Sequence, residues 1–151
     1  MQPPARPGHD TDRTRRAALA VVLVATLIRL GFAAALPLFP DEAYYWEWSR
    51  RLAPGYFDHP PGIAYAIALG TNLLGALGLP PTPFAVRLVP VLCGLAASLA
   101  VLGIARRIAG ERAGLYAALI ICTMPLAATG LVLATPDAPL MGATGVGMYA
   151  V

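Results

Sequence analysis

The sequence contains no lysine. All eleven of its basic residues are arginine, against eight Asp and Glu, and only 13% of the chain is charged. A soluble domain of 151 residues needs far more polar surface, so this scarcity excludes an ordinary soluble globular class. Cysteine is nearly absent too. Cys93 and Cys122 lie singly inside apolar runs with no CxxC or Cys/His spacing, so they read as small core or lipid-facing residues, with neither a disulfide framework nor a zinc site. There is no glycine-rich phosphate loop and no GxSxG elbow. Nor is there a basic stretch interleaved with aromatics, so nucleic acid is not an expected partner.

What is present is apolar sequence: 58% hydrophobic residues and a mean hydropathy of +0.65. The expected class is an all-α, polytopic membrane protein whose partner is the lipid bilayer. The arginines cluster at the ends of apolar runs, where they act as topology signals. Arginine without lysine is associated with GC-rich bacteria, and the expected location is a bacterial plasma (inner) membrane, multi-pass.

Residues 1–16, proline-rich and basic, predict a disordered cytoplasmic tail in which His9 is solvated. Residues 17–36 are long enough to cross a hydrocarbon core of ~30 Å, with Arg13, Arg15 and Arg16 holding the N-terminus inside. A cleaved signal peptide is the rival reading, given the small residues Ala33, Ala34 and Ala35. Arg29 interrupts the run and favours a retained anchor. An arginine at that depth is costly and must face a partner or polar cavity, or snorkel outward. Further spans are predicted at 84–105 and 113–134, with a fourth at 138–151 cut by the chain's end.

Between the first two strong spans lies PDEAYYWEWSRRLAPGYFDHPP, residues 40–61, with four of the eight acidic residues, both tryptophans and one of the two histidines. A short juxtamembrane helix is predicted over 41–53, with Asp41 as N-cap, Glu42 in the first turn, and Tyr45, Trp48 and Leu52 along one side. Residues 62–79 decide the topology. If they cross, the Arg106, Arg107 and Arg112 cluster falls outside and Asp137 inside. If they are re-entrant or juxtamembrane, the arginines stay inside, and Asp41, Glu42, Asp58 and Asp137 share the outer side. Length and charge favour the second arrangement. Singly, each of these residues has a bland role, as helix cap, turn residue or interfacial histidine. Four carboxylates converging near hydrocarbon, with His59 and Arg87 beside them, predict a site, because isolated charges there are expensive.

The ordered set PDEAYYWEWSRRLAPGYFDHPP, FAVRLVPVL, ARRIAGERAG and ATPDAPL resembles the N-terminal part of glycosyltransferase family 39, within the GT-C superfamily. That group contains the protein O-mannosyltransferases and the aminoarabinose transferases of lipid A. The resemblance covers nearly all of residues 38–140. It implies juxtamembrane helices in the first outer loop, and transfer of a sugar from a polyprenyl-phosphate donor to a lipid or protein acceptor on the periplasmic face. Asp41 matches the family's candidate general base, and Glu42 its acidic neighbour. Asp58 stands where the aminoarabinose transferases have glutamate, and Asp137 matches a later acidic position. All full members are longer, so the chain is expected to be the N-terminal piece of one.

The chemistry suits these residue types. A carboxylate takes the proton of the attacking hydroxyl, and a cation stabilises the departing lipid phosphate. The expected assignments are Asp41, Glu42 and Asp137 as catalytic, and Arg87, Asp58 and His59 as donor-phosphate or substrate ligands. Asp41, Asp58 and His59 could also hold a divalent metal, which stays unassigned because metal use varies in the family. The alternatives are a transporter, with Arg29, Asp41 and Asp137 along an ion path, and a non-catalytic membrane subunit.

Overall fold

A computed structural model describes residues 7–151. The described residues form seven helices and no strand: α1 (Pro7–Ala35), α2 (Pro40–Ser49), α3 (Gly62–Ala76), α4 (Pro83–Ala109), α5 (Glu111–Thr123), α6 (Pro125–Gly130) and α7 (Asp137–Ala150). Two of them, over Asp10–Ala35 and Pro83–Ala109, are long and apolar enough to cross a membrane. Their outward side chains, among them Leu23, Val24, Leu27, Ile28 and Phe32 of α1, are half or more exposed. Surface of that kind is stable only against lipid or further protein.

The chain departs from the sequence expectations in three places. Helix α1 begins at Pro7, so residues 7–16 are helical and continuous with the span; residues 1–6 of the expected tail lie outside the described residues. Pro7 suits a first helical position, and Thr14 bonds back to the Asp10 carbonyl at 2.9 Å. The run at 113–134 is broken into α5 and α6 at Met124, which is extended (φ −63°, ψ 125°). Pro125 disfavours helical geometry in the residue before it and lacks an N–H of its own. Finally, α2 starts on Pro40 with Phe39 as its cap residue, so Asp41 is not the N-cap. Pro40 is preorganised for the first helical position, which moves the boundary one residue earlier. The helix ends at Ser49 and leaves Leu52 exposed.

Helices α1 and α4 run antiparallel. Ala18 and Val22 cluster with Leu102 and Ala118, Arg29 meets Ser98, and the end of α1 meets Arg87. Helix α7 runs parallel to α4 along small residues: Gly142 backs onto Cys93, Gly145 onto Ala97 and Ala100, and Gly103 onto the Tyr149 ring. Such close approach is the usual means of helix association in a bilayer. The turn between α4 and α5 is made by Gly110 at φ 84°, a conformation that side chains disfavour.

This packing gives the bundle two unlike ends. One collects α2, the first turns of α4, and the start of α7. The other collects the start of α1 and the α4–α5 turn, where Arg106 pairs with Glu111. Helix α3, about 22 Å long at 1.5 Å per residue, stays at the first end. Its Ile63 and Ile67 cluster with Tyr45, Val86 and Ala134, and Gly70 faces the Ala85 carbonyl so closely that a Cβ would sit 2.5 Å from it.

Candidate active site at the Asp41 end of the bundle

Consecutive residues on a helix point about 100° apart, and α2 uses this to send its two acidic residues to different surroundings. Asp41 is exposed, whereas Glu42 is 1% exposed. The Glu42 carboxylate meets the guanidinium of Arg87, itself 0% exposed, in a two-pronged pair. Nε donates to Oε1 at 2.7 Å and Nη2 donates to Oε2. Glu42 also accepts from the Phe39 N–H at 3.0 Å and from the Ala134 N–H at 2.8 Å. Arg87 completes its set on the end of α1, donating to the carbonyls of Ala33 (3.3 Å), Leu36 (2.8 Å) and Pro37 (2.8 Å). Burial alone would raise the Glu42 pKa, but the Arg87, Ala134 and Phe39 donors outweigh it and hold the carboxyl below its ordinary value. The result is an ion-paired brace, charged above the acid range. It has no donor open to a phosphate and no lone pair open to a substrate proton.

The exposed carboxylates lie around Tyr45. Burial raises the Tyr45 pKa, and the charges of Asp41, Asp58 and Asp137 all reach it and raise it further. Asp58 accepts from the Tyr44 hydroxyl at 3.1 Å. Desolvation, and then that bond, raise the Tyr44 pKa. The loop carrying Asp58 is folded on its own aromatics. Tyr56 stacks on Trp48 with ring centroids 4.4 Å apart. Its hydroxyl reaches the carbonyls of Trp48 and Arg51 and accepts from the Ala53 N–H at 3.2 Å. Tyr65 of α3 donates to the Ala53 carbonyl at 3.2 Å. His59 stands with its ring 5.8 Å from Tyr45 and 6.4 Å from Trp48.

The structure thus gathers Asp41, Asp58, His59 and Asp137 at one rim, while Glu42 and Arg87 lie beneath it. The expected metal set of Asp41, Asp58 and His59 is not assembled: no three His, Cys, Asp or Glu side chains among the described residues converge on a metal position. Asp58 is engaged by Tyr44, and His59 by the aromatic edges. Sequence reasoning missed Ala134, whose N–H closes the brace. A backbone donor has no residue-type signal, and only the neighbouring TPDAP motif pointed there. Tyr45 was expected only along one side of a juxtamembrane helix.

An all-helical membrane protein with a polar, carboxylate-rich rim at one end of its bundle has the architecture of a GT-C-type glycosyltransferase fragment. The profile of the dolichyl-phosphate-mannose-protein mannosyltransferase family matches residues 58–151, more than half of the sequence, and the chain belongs to that family. It is also 34% identical over 129 residues to the lipid A galacturonosyltransferase RgtD of Rhizobium johnstonii, an alignment covering 83% of this chain and 26% of that protein. The chain therefore spans about a quarter of the length of this relative. No solved structure matches it at a significant level.

Proposed function

We propose that this chain forms the N-terminal part of a membrane glycosyltransferase that moves a sugar from a polyprenyl-phosphate donor to an acceptor outside the cytoplasm. The observation that carries the reading is the placement of three carboxylates at one end of the bundle, opposite Arg106 and Arg112. Asp58 accepts from Tyr44 of α2, and Glu42, next to Asp41, accepts from the Ala134 N–H three residues before Asp137. The start of α1 lies at that opposite end too, since Asp10 and Thr14 line a cleft with Glu111 and Arg112. With arginines held inside by the positive-inside rule, the carboxylate rim faces the periplasm. Carboxylates collected at one rim also suit surface chemistry better than an ion path through the bilayer.

In this reading the acceptor hydroxyl attacks the anomeric carbon, the bond from that carbon to the donor phosphate breaks, and the hydroxyl proton passes to Asp41. Asp41 is favoured over Glu42 because its carboxylate is exposed, while that of Glu42 is filled by four donors. Asp137 and Asp58 orient sugar hydroxyls beside it. Arg87 is committed to the brace, so the leaving phosphate takes its counter-charge from Arg51 or His59, both exposed at this rim, or from the rest of the full-length enzyme. Similarity to a lipid A transferase favours a lipid acceptor over a protein.

The direct test is Asp41→Asn in the full-length protein, assayed with polyprenyl-phosphate sugars. A loss of about 10²–10⁴-fold with normal membrane insertion is expected for a missing general base. Undiminished transfer would show that Asp41 is not that base.

A further inference from the structure

The brace contains more bonds than an ion pair requires, and they join parts of the chain that are distant in sequence. All five N–H donors of Arg87 are used, two on Glu42 and three on carbonyls at the end of α1. All four acceptor positions of Glu42 are used as well, two by Arg87 and one each by Phe39 and Ala134. Asp41 is the residue before Glu42, and Asp137 opens α7 three residues after Ala134. Among the described residues, one carboxylate therefore ties the segment carrying Asp41 to the loop carrying Asp137 by hydrogen bonds.

We propose that Glu42 and Arg87 are positioning residues, which set the separation and orientation of Asp41 and Asp137 across the substrate site and take no direct part in proton transfer or phosphate binding. This rests on the reading of that rim as the transfer site. The Ala134 contact gives the proposal its content. Charge pairing alone would need only Arg87, whereas a backbone N–H on the far loop makes the carboxylate a spacer between two site segments. Displacing one reacting group by about 1 Å is enough to cost about 10²-fold in rate.

The experiment uses the full-length protein in membranes, with Glu42→Gln, Arg87→Lys and the exchange Glu42→Arg with Arg87→Glu. Both single variants are expected to lower kcat by about 10²-fold while donor KM stays within about twofold, with the acidic limb of the pH profile unmoved. The exchange is expected not to rescue activity, because it turns a guanidinium toward the Phe39 and Ala134 N–H groups. Spin labels at exposed Ala43 and Leu140, with Cys93 and Cys122 replaced by alanine, give a second readout: a narrow distance distribution that broadens in both single variants. If Glu42→Gln fails to insert, Arg87→Lys carries the same test.

Four results would overturn the proposal. A raised donor KM with normal kcat in Arg87→Lys would make Arg87 a phosphate ligand. Loss of the acidic limb in Glu42→Gln would make Glu42 the base. Rescue by the exchange would reduce the brace to a simple ion pair, and an unchanged label distance would remove the spacer role. Full activity of Asp41→Asn would instead refute the site reading, and the label distances would still report on the brace.

Discussion

Among the described residues two arginines are buried, and they are treated in opposite ways. Arg87, at the Asp41 end, spends every donor on a carboxylate and three carbonyls. Arg29, deeper in α1, is 3% exposed, donates to the Ser98 hydroxyl at 3.4 Å and faces the Cys122 thiol, while its Nη2 is buried without a hydrogen-bond partner. It borders a cleft of about 440 Å³, walled mostly by apolar side chains of α1, α5 and α6. A buried charge is tolerated when its surroundings replace what water supplied. Around Arg87 the chain has done so completely, using carbonyls freed where α1 ends and Pro37 redirects the backbone. Around Arg29 the helices offer only a hydroxyl and a weakly accepting thiol, because mid-helix carbonyls are already bonded within their own helices.

The largest expected effect is at the brace. Arg87→Ala leaves Glu42 charged, buried and unpaired, and should destabilise the folded protein by about 3–5 kcal/mol, read as a fall in melting temperature in detergent. A drop no larger than that of a surface variant would show that the brace is not a stability element. A smaller effect should appear in acid. Because the Glu42 pKa is lowered on folding, its contribution is complete above the ordinary glutamate range and is lost as pH falls through the folded value. Thermal melts across that acid range should decline in the parent and decline less in Glu42→Gln. The smallest effect is expected from Arg29→Leu, which removes one long hydrogen bond and an unpartnered donor, and should change stability by about 1 kcal/mol or less. A loss comparable to that of Arg87→Ala would break the comparison and show that the intact protein supplies Arg29 with a partner.

Apolar length was the clearest signal in the sequence. The two helices suited to crossing a membrane overlap the runs read at 17–36 and 84–105, because hydropathy averages over many residues and tolerates local detail. The break between α5 and α6 escaped the same averaging. Met124 and Pro125 are apolar, so they strengthen a hydropathy signal at the point where backbone chemistry ends the helix. At the site, the residue types in the first loop and in TPDAP were enough to nominate the rim. They could not divide the work between Asp41 and Glu42. That division depends on which side of α2 meets Arg87, a contact 45 residues away, and on Ala134, 92 residues away. Arg87, expected to bind the donor phosphate, is interior because the end of α1 folds over it.

The spacing of those contacts along the chain also orders biogenesis. Glu42 leaves the ribosome first, Arg87 follows 45 residues later, and Ala134 last. Burial of the carboxylate before α4 arrives would strand a bare charge, so its burial is expected to follow that arrival. Arrival of α4 supplies the guanidinium, and arrival of the segment before α7 supplies the final N–H. The brace can close only after both have been made, so it ties the earliest of these three segments to the last.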